Sequence, residues 1–169
     1  MILVRILIYI FIFLSSTAIG ILISKKYTNR VLELKEFKNA LNIFKSKIKF
    51  TYETIPEIFN EISKEVMPNV GSVFQSSSNN MDKLSAQESW NLALNLNILN
   101  ITEEDIFALN KLGNLLGNTD IDGQISQIDL TQEYLQNQIE KAEKQCQKNQ
   151  KLYQTLGMIT GLAIVIILM

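Results

Sequence analysis

The two ends of the chain limit most strongly how it can fold. Both are apolar: the first 23 residues are apolar or small except for Arg5, and the last 18 contain no charged residue. A helix of roughly 20 apolar residues crosses the hydrocarbon core of a bilayer. The sequence therefore predicts transmembrane helices at residues 1–24 and 152–169, with a helical domain at residues 25–151 between them.

A secretory signal peptide is the second interpretation of the first segment. Arg5 would be its charged region, Ile6 to Leu14 its apolar region, and Ser15 to Ala18 the small residues before a cleavage site. However, the apolar run resumes from Ile19 to Ile23, which is longer than a signal peptide needs. Cleavage would also leave the second segment unpaired, so a transmembrane helix is the preferred interpretation.

Basic residues border the inner ends of both apolar segments, whereas only Arg5 lies at an outer end. The positive-inside rule then predicts that the central domain is cytoplasmic and that both termini lie outside, in a cell membrane crossed twice. The inner basic residues are Lys25, Lys26, Arg30, Lys141, Lys144, Lys148 and Lys151.

Two glycines in the second segment, Gly157 and Gly161, have the spacing of a small-xxx-small motif. Small residues at this spacing allow the backbone of another membrane helix to approach closely. We expect these glycines to pack against a helix in the membrane, for which the first segment of the same chain is one candidate.

The central domain is predicted to be all-α, an antiparallel bundle of about six helices that includes the inner ends of two long helices. Prolines and glycines are few, and apolar residues recur at steps of three and four. Capping boxes at Thr54, Ser85 and Thr102 each predict the start of a helix. The first stripe of apolar residues is Val31, Leu34, Phe37, Leu41, Phe44 and Ile48.

Other local signals predict where helices end. The polar run from Ser76 to Asn80 is interpreted as an exposed loop that tolerates insertions, and Gly117 as a helix stop. From Asp120 onward, one long helix should continue into the second apolar segment. Trp90 is assigned to the core.

The residue types in the sequence do not support a catalytic function. The chain has no histidine and a single cysteine, Cys146, and it contains no phosphate-binding glycine loop. We predict that the protein is not an enzyme and that it has no catalytic residues, no cofactor, no metal site and no small-molecule substrate. With 16 basic and 17 acidic residues, the charge balance also argues against nucleic acid.

Four glutamates, Glu53, Glu57, Glu61 and Glu65, recur at intervals of four residues. On a helix this spacing places them along one face. We call them the glutamate strip. A solvated helix face is one interpretation of the strip, and a docking surface for a basic partner is the other.

An ordered set of features along nearly the whole chain resembles the stage III sporulation protein AB family. It includes the first apolar segment with Lys26, Tyr27 and Arg30 after it, a segment from Thr54 to Ile62 that contains Pro56, and the helix with Trp90. The last third of the set is Leu112, Gly113, Leu116, Gly117, Asp120, Gln124, Lys151, Leu152, Tyr153, Leu156, Gly157 and Gly161.

Members of this family are similar to the cytoplasmic domains of the platform protein F of type II secretion. The resemblance implies a platform subunit in the channel that links mother cell and forespore during endospore formation, in the outer forespore membrane. Its implied partners are the ATPase stage III sporulation protein AA, the other membrane proteins of that channel and the lipid bilayer. A membrane-anchored signalling or sensor module is the alternative function.

Overall fold

The computed structural model describes residues 2–114, 116–117 and 119–168. These residues form six α-helices and no strand, which confirms the predicted all-α class. The chain divides into a terminal unit, made of the residues up to Val31 and from Lys141 onward, and a central unit of residues 32–140. The helices are α1 (Ile2–Phe50), α2 (Ile55–Glu65), α3 (Pro68–Asn80), α4 (Ala86–Leu96), α5 (Glu103–Gly113) and α6 (Ile121–Leu168).

Three of the short helices start at the predicted capping boxes. In each box, the carboxylate of the third helical residue accepts the backbone N–H of the cap residue, which would otherwise lack a partner. These N–H to carboxylate distances are 2.7 Å from Thr54 to Glu57, 3.1 Å from Ser85 to Glu88 and 2.8 Å from Thr102 to Asp105.

Large aromatic side chains fill the core of the central unit. Phe59 and Phe74 lie edge to face with their ring centroids 5.0 Å apart, and both contact Trp90. Trp90 is fully buried, as predicted, and its Nε1–H donates to the carbonyl of Leu109 at 2.7 Å. This hydrogen bond satisfies the one polar group of the indole and links α4 to α5.

A buried carboxylate ties α1 to two other parts of the central unit. Glu33 is almost completely buried and accepts the backbone N–H of Asn100 at 2.6 Å. It also accepts the side-chain amides of Asn100 and of Asn69, at 2.7 and 3.1 Å. These hydrogen bonds compensate its lost hydration and fasten the start of α3 and the α4–α5 loop to α1.

The prediction of an exposed loop from Ser76 to Asn80 was wrong, because α3 continues through this run. Ser77 is fully buried, and the hydroxyl of Ser78 donates to the carbonyl of Pro56 at 2.8 Å. Serine and asparagine form helices poorly by themselves, but packing against a neighbouring helix overrides this weak preference. The exposed connection begins after Asn80, in the turn that contains Lys83.

Gly117 was predicted to stop a helix, but α5 already ends at Gly113. Gly117 lies in the turn that follows, where its φ of +73° is one that residues with a Cβ rarely adopt. At Gly113, an added Cβ would lie 2.6 Å from Cδ1 of Trp90. Gly113 therefore permits close packing against Trp90, whereas Gly117 permits a left-handed turn.

The terminal unit pairs the first part of α1 with the last part of α6. Both long helices contain an 18-residue window that is long and apolar enough to cross a membrane, and only 6% of each window is buried. Nearer the charged ends of these segments, the rings of Tyr27 and Tyr153 stack with centroids 5.7 Å apart. Nη1 of Arg30 donates to Oε1 of Gln145 at 2.8 Å.

Candidate partner-binding surfaces

The structure divides the glutamate strip instead of presenting it as one helix face. Glu53 precedes α2 and lies in the connection after α1, so the predicted four-residue helical register holds only from Glu57 to Glu65. All four residues belong to the central unit, and Glu53, Glu57 and Glu65 are exposed.

Lys47 of α1 approaches two members of the strip. Its Nζ forms an ion pair and hydrogen bond with Glu61 and lies 3.8 Å from Glu53. The hydrogen bond with Glu61, together with the charges of Glu53 and Glu65, raises the pKa of Lys47 above its usual value. Part of the negative charge of the strip is therefore balanced within the chain.

Glu57 has a structural role at the start of α2. Its carboxylate accepts both the backbone N–H and the hydroxyl of Thr54, at 2.7 and 2.8 Å. These hydrogen bonds stabilise the ionised form and lower the pKa of Glu57. A substitution at Glu57 would thus disturb the helix as well as any surface charge.

Gly157 and Gly161 lie against the first apolar segment in the terminal unit. An added Cβ on Gly157 would lie 2.9 Å from the carbonyl oxygen of Ser16 and 3.0 Å from Cα of Gly20. On Gly161 it would lie 3.1 Å from Cβ of Ser16. The hydroxyl of Ser16 also donates to the carbonyl of Gly157 at 2.8 Å, which requires this close approach of the two backbones.

A second surface, which the sequence reasoning missed, lies at the end of the central unit where α1 ends and α2 and α6 begin. Phe50 is 74% exposed, Ile121 is 54% exposed, and Tyr52 is fully exposed. We call these three residues the apolar tip. Phe50 falls outside the three-and-four pattern of the α1 stripe, which is the one signal that could have marked it.

A groove of about 280 Å³ opens beside the apolar tip. Glu53 and Gln124 line it together with Tyr52 and Ile121. Nε2 of Gln124 donates to the carbonyl of Thr119 at 3.1 Å, but its Oε1 is buried without a hydrogen-bond partner among the residues that the structure describes. The groove thus combines apolar walls with a carboxylate.

Across residues 2–114, 116–117 and 119–168, there is no group of three or more Asp, Glu or Cys side chains that could hold a metal ion. The candidate surfaces offer a partner exposed carboxylates, exposed aromatic rings and a shallow groove.

These features define a class of protein: an all-helical chain with two helices apolar enough to cross a membrane and a helical bundle between them. The chain belongs to the stage III sporulation protein AB family, whose model matches residues 5–169. Membership supports a role in sporulation, and the two apolar helices fit a membrane protein. The name of the family describes a sporulation protein, not an enzyme.

Two individual proteins are similar to this chain. Stage III sporulation protein AB of Bacillus subtilis (strain 168) is 26% identical over 164 residues, which cover 95% of this chain and 96% of the relative. A solved structure of a stage III sporulation protein AB has a TM-score of 0.65 at 21% identity and covers 70% of this chain and 96% of its own. This second likeness supports the helical fold alone.

Proposed function

We propose that this protein is a non-enzymatic platform subunit of the membrane channel between mother cell and forespore, where it docks the cytoplasmic ATPase stage III sporulation protein AA. The observation that carries the proposal is the continuity of α1 and α6. Each runs without a break from an apolar segment into the central unit, so each can connect a membrane anchor to a docking domain.

The orientation in the membrane is part of this proposal. The basic residues on the inner flanks of the two apolar segments favour a central unit in the mother-cell cytoplasm, with the spans in the outer forespore membrane and both termini beyond it. A cytoplasmic ATPase can bind the central unit only if that unit is also in the cytoplasm. Movement of the bound ATPase would reach the membrane through the uninterrupted α6.

The glutamate strip is our proposed contact for a basic surface of the ATPase. Because Glu57 stabilises the start of α2 and Glu61 forms the closer, hydrogen-bonded pair with Lys47, the informative positions are Glu53 and Glu65. Replacing both by glutamine should weaken binding about threefold, since exposed charge contacts each contribute little. The matched control is Asp82→Asn with Glu133→Gln, which removes two exposed charges outside the strip.

The experiment is a pull-down from sporulating cells. The affinity tag belongs at Lys83, in the exposed turn between α3 and α4, because the run from Ser76 to Asn80 lies within α3. Specific recovery of the ATPase, relative to an unrelated two-span membrane protein with the same tag, is the expected result. Recovery of a sensor kinase or a transcriptional regulator without the ATPase would instead support the signalling or sensor module.

A further inference from the structure

The apolar tip consists of three large side chains that are exposed at one end of the central unit. Phe50, Tyr52 and Ile121 come from the end of α1, the α1–α2 connection and the start of α6. Three separate parts of the chain thus bring large apolar side chains to one end of the central unit. Contiguous exposed apolar residues with polar residues around them are typical of protein interaction sites.

Charges around the apolar tip indicate the chemistry of its partner. Glu53 lines the groove, and Asp120 and Asp122 flank Ile121 in the chain. Lys47 pairs with Glu61 and lies 3.8 Å from Glu53, so it balances part of this charge, and the Nζ of Lys49 lies over the ring of Phe50, 5.3 Å from its centroid. With Lys47 set against Glu61, the carboxylates of Glu53, Asp120 and Asp122 outnumber the amine of Lys49, so the tip complements a basic surface.

The groove offers a specific position for one basic side chain. Glu53 supplies a negative charge among the residues that line it. An arginine or lysine side chain carries only donors and has an apolar stem that suits a groove lined by Ile48, Ile55 and Ile121.

We infer that the apolar tip is a docking site for a partner surface on which an arginine or lysine is surrounded by apolar residues. The basic side chain enters the groove beside Glu53 and Gln124, while Tyr52 and Phe50 cover the apolar residues of the partner. This inference rests on the proposed function, because the partner is the docked ATPase. It places the contact at the tip, where the glutamate strip begins.

The test measures binding of the purified ATPase to the full chain in detergent micelles. Tyr52→Ser should weaken binding about tenfold or more, as expected for an exposed aromatic anchor at the centre of an interface. Leu96→Ser is the matched control, because Leu96 is 71% exposed elsewhere on the central unit. Thermal unfolding should be the same for both variants, since neither side chain is buried.

A further variant tests the chemistry of the groove. Glu53→Gln should reduce the salt dependence of binding, because the affinity of a charge pair falls with ionic strength. Equal salt dependence in the wild type and Glu53→Gln would contradict a basic side chain in the groove.

The outcomes separate this inference from the proposed function. If the ATPase binds the wild type and Tyr52→Ser equally well, the tip is excluded while platform docking stands. If the ATPase does not bind the wild type at all, both the inference and the proposed function fail. Loss of binding in Tyr52→Ser, with full binding in Leu96→Ser, supports both.

Discussion

The terminal and central units use opposite means to pack helices together. In the central unit, large rings fill the space between helices, and Trp90, Phe59 and Phe74 are fully buried. In the terminal unit, helices meet at Gly20 and Gly157, where there is no side chain to bury and the backbones nearly touch. This difference fits the surroundings that we propose, which are water for the central unit and lipid for the terminal unit.

Water drives the central unit together, because burying apolar surface removes it from water. Lipid gives no such drive, since lipid tails are as apolar as leucine side chains, and membrane helices associate through close packing and hydrogen bonds. The hydrogen bond from Ser16 to the carbonyl of Gly157 and the crossing at Gly20 fit this second rule. Substitutions in the central unit should therefore lower its free energy of unfolding, whereas substitutions at the glycines should separate the helices of the terminal unit.

The largest expected effect is in the aromatic core. Trp90→Ala should lower the free energy of unfolding of the central unit by about 3–5 kcal/mol, because it leaves a cavity and removes the partner of the Leu109 carbonyl. Denaturant unfolding of the full chain in detergent, followed by circular dichroism, measures this change. Leu96→Ala, at an exposed site, should change it by at most about 0.5 kcal/mol. Equal losses in both variants would contradict a core centred on Trp90.

The second effect concerns the helix crossing in the terminal unit. The hydroxyl of Thr28 lies 3.6 Å from Sγ of Cys146, so Thr28→Cys should form an intrachain disulfide under mild oxidation. Adding Gly157→Leu should reduce the yield of this disulfide severalfold, because a side chain at position 157 separates the helices. Gel mobility with and without reductant measures the yield.

Two controls accompany the disulfide experiment. Met158→Leu alters an exposed neighbour of Gly157 and should leave the yield unchanged. Gly157→Leu should also leave the unfolding of the central unit unchanged if the two units pack by independent means. A full yield of disulfide in Gly157→Leu would refute the close crossing.

A smaller effect is expected at Ser77, whose buried hydroxyl has no hydrogen-bond partner among the described residues. Ser77→Ala removes a desolvated polar group without creating a large cavity. The free energy of unfolding should rise by about 1 kcal/mol, which the same denaturant measurement would detect. A loss of similar size would instead indicate that the hydroxyl forms a useful hydrogen bond.

The smallest effect depends on pH. Hydrogen bonds from Ser85 and Thr54 lower the pKa of Glu88 and of Glu57 below the usual value. A carboxyl whose pKa is lower in the folded than in the unfolded state stabilises the fold above the unfolded pKa, and this stability is lost as pH falls through the folded pKa. A shallow loss of thermal stability is therefore expected on acidification below the usual glutamate range. Ser85→Ala should make this pH dependence shallower, and an unchanged slope would argue against the contribution of Glu88.

Much of the fold could be predicted because its signals are local. Capping boxes at Thr54, Ser85 and Thr102 involve residues only three positions apart, so the starts of three helices were correct. The run at Ser76 to Asn80 misled, because its weak helix preference gives way to contacts with residues that are distant in sequence, such as Pro56. The prediction at Gly117 also failed, because α5 ends at Gly113, whose contact with Trp90 joins residues that are distant in sequence.

The candidate surfaces show the same division. Four-residue spacing identified the glutamate strip, but it could not show that Glu53 lies outside α2 or that Lys47 of another helix approaches the strip. The apolar tip has no spacing signal, because Phe50, Tyr52 and Ile121 belong to different elements. Only their meeting at one end of the central unit makes them a surface.

By itself, the sequence determined the all-helical class, the two apolar segments, the absence of histidine chemistry and the starts of three helices, because composition and short-range patterns control these properties. The tertiary structure decided which glutamates remain exposed, which glycines allow close backbone contact and where apolar residues stay uncovered. These properties depend on pairs of residues such as Lys47 with Glu61, or Gly20 with Gly157. Such pairs are brought together by packing between helices, and no local pattern specifies them.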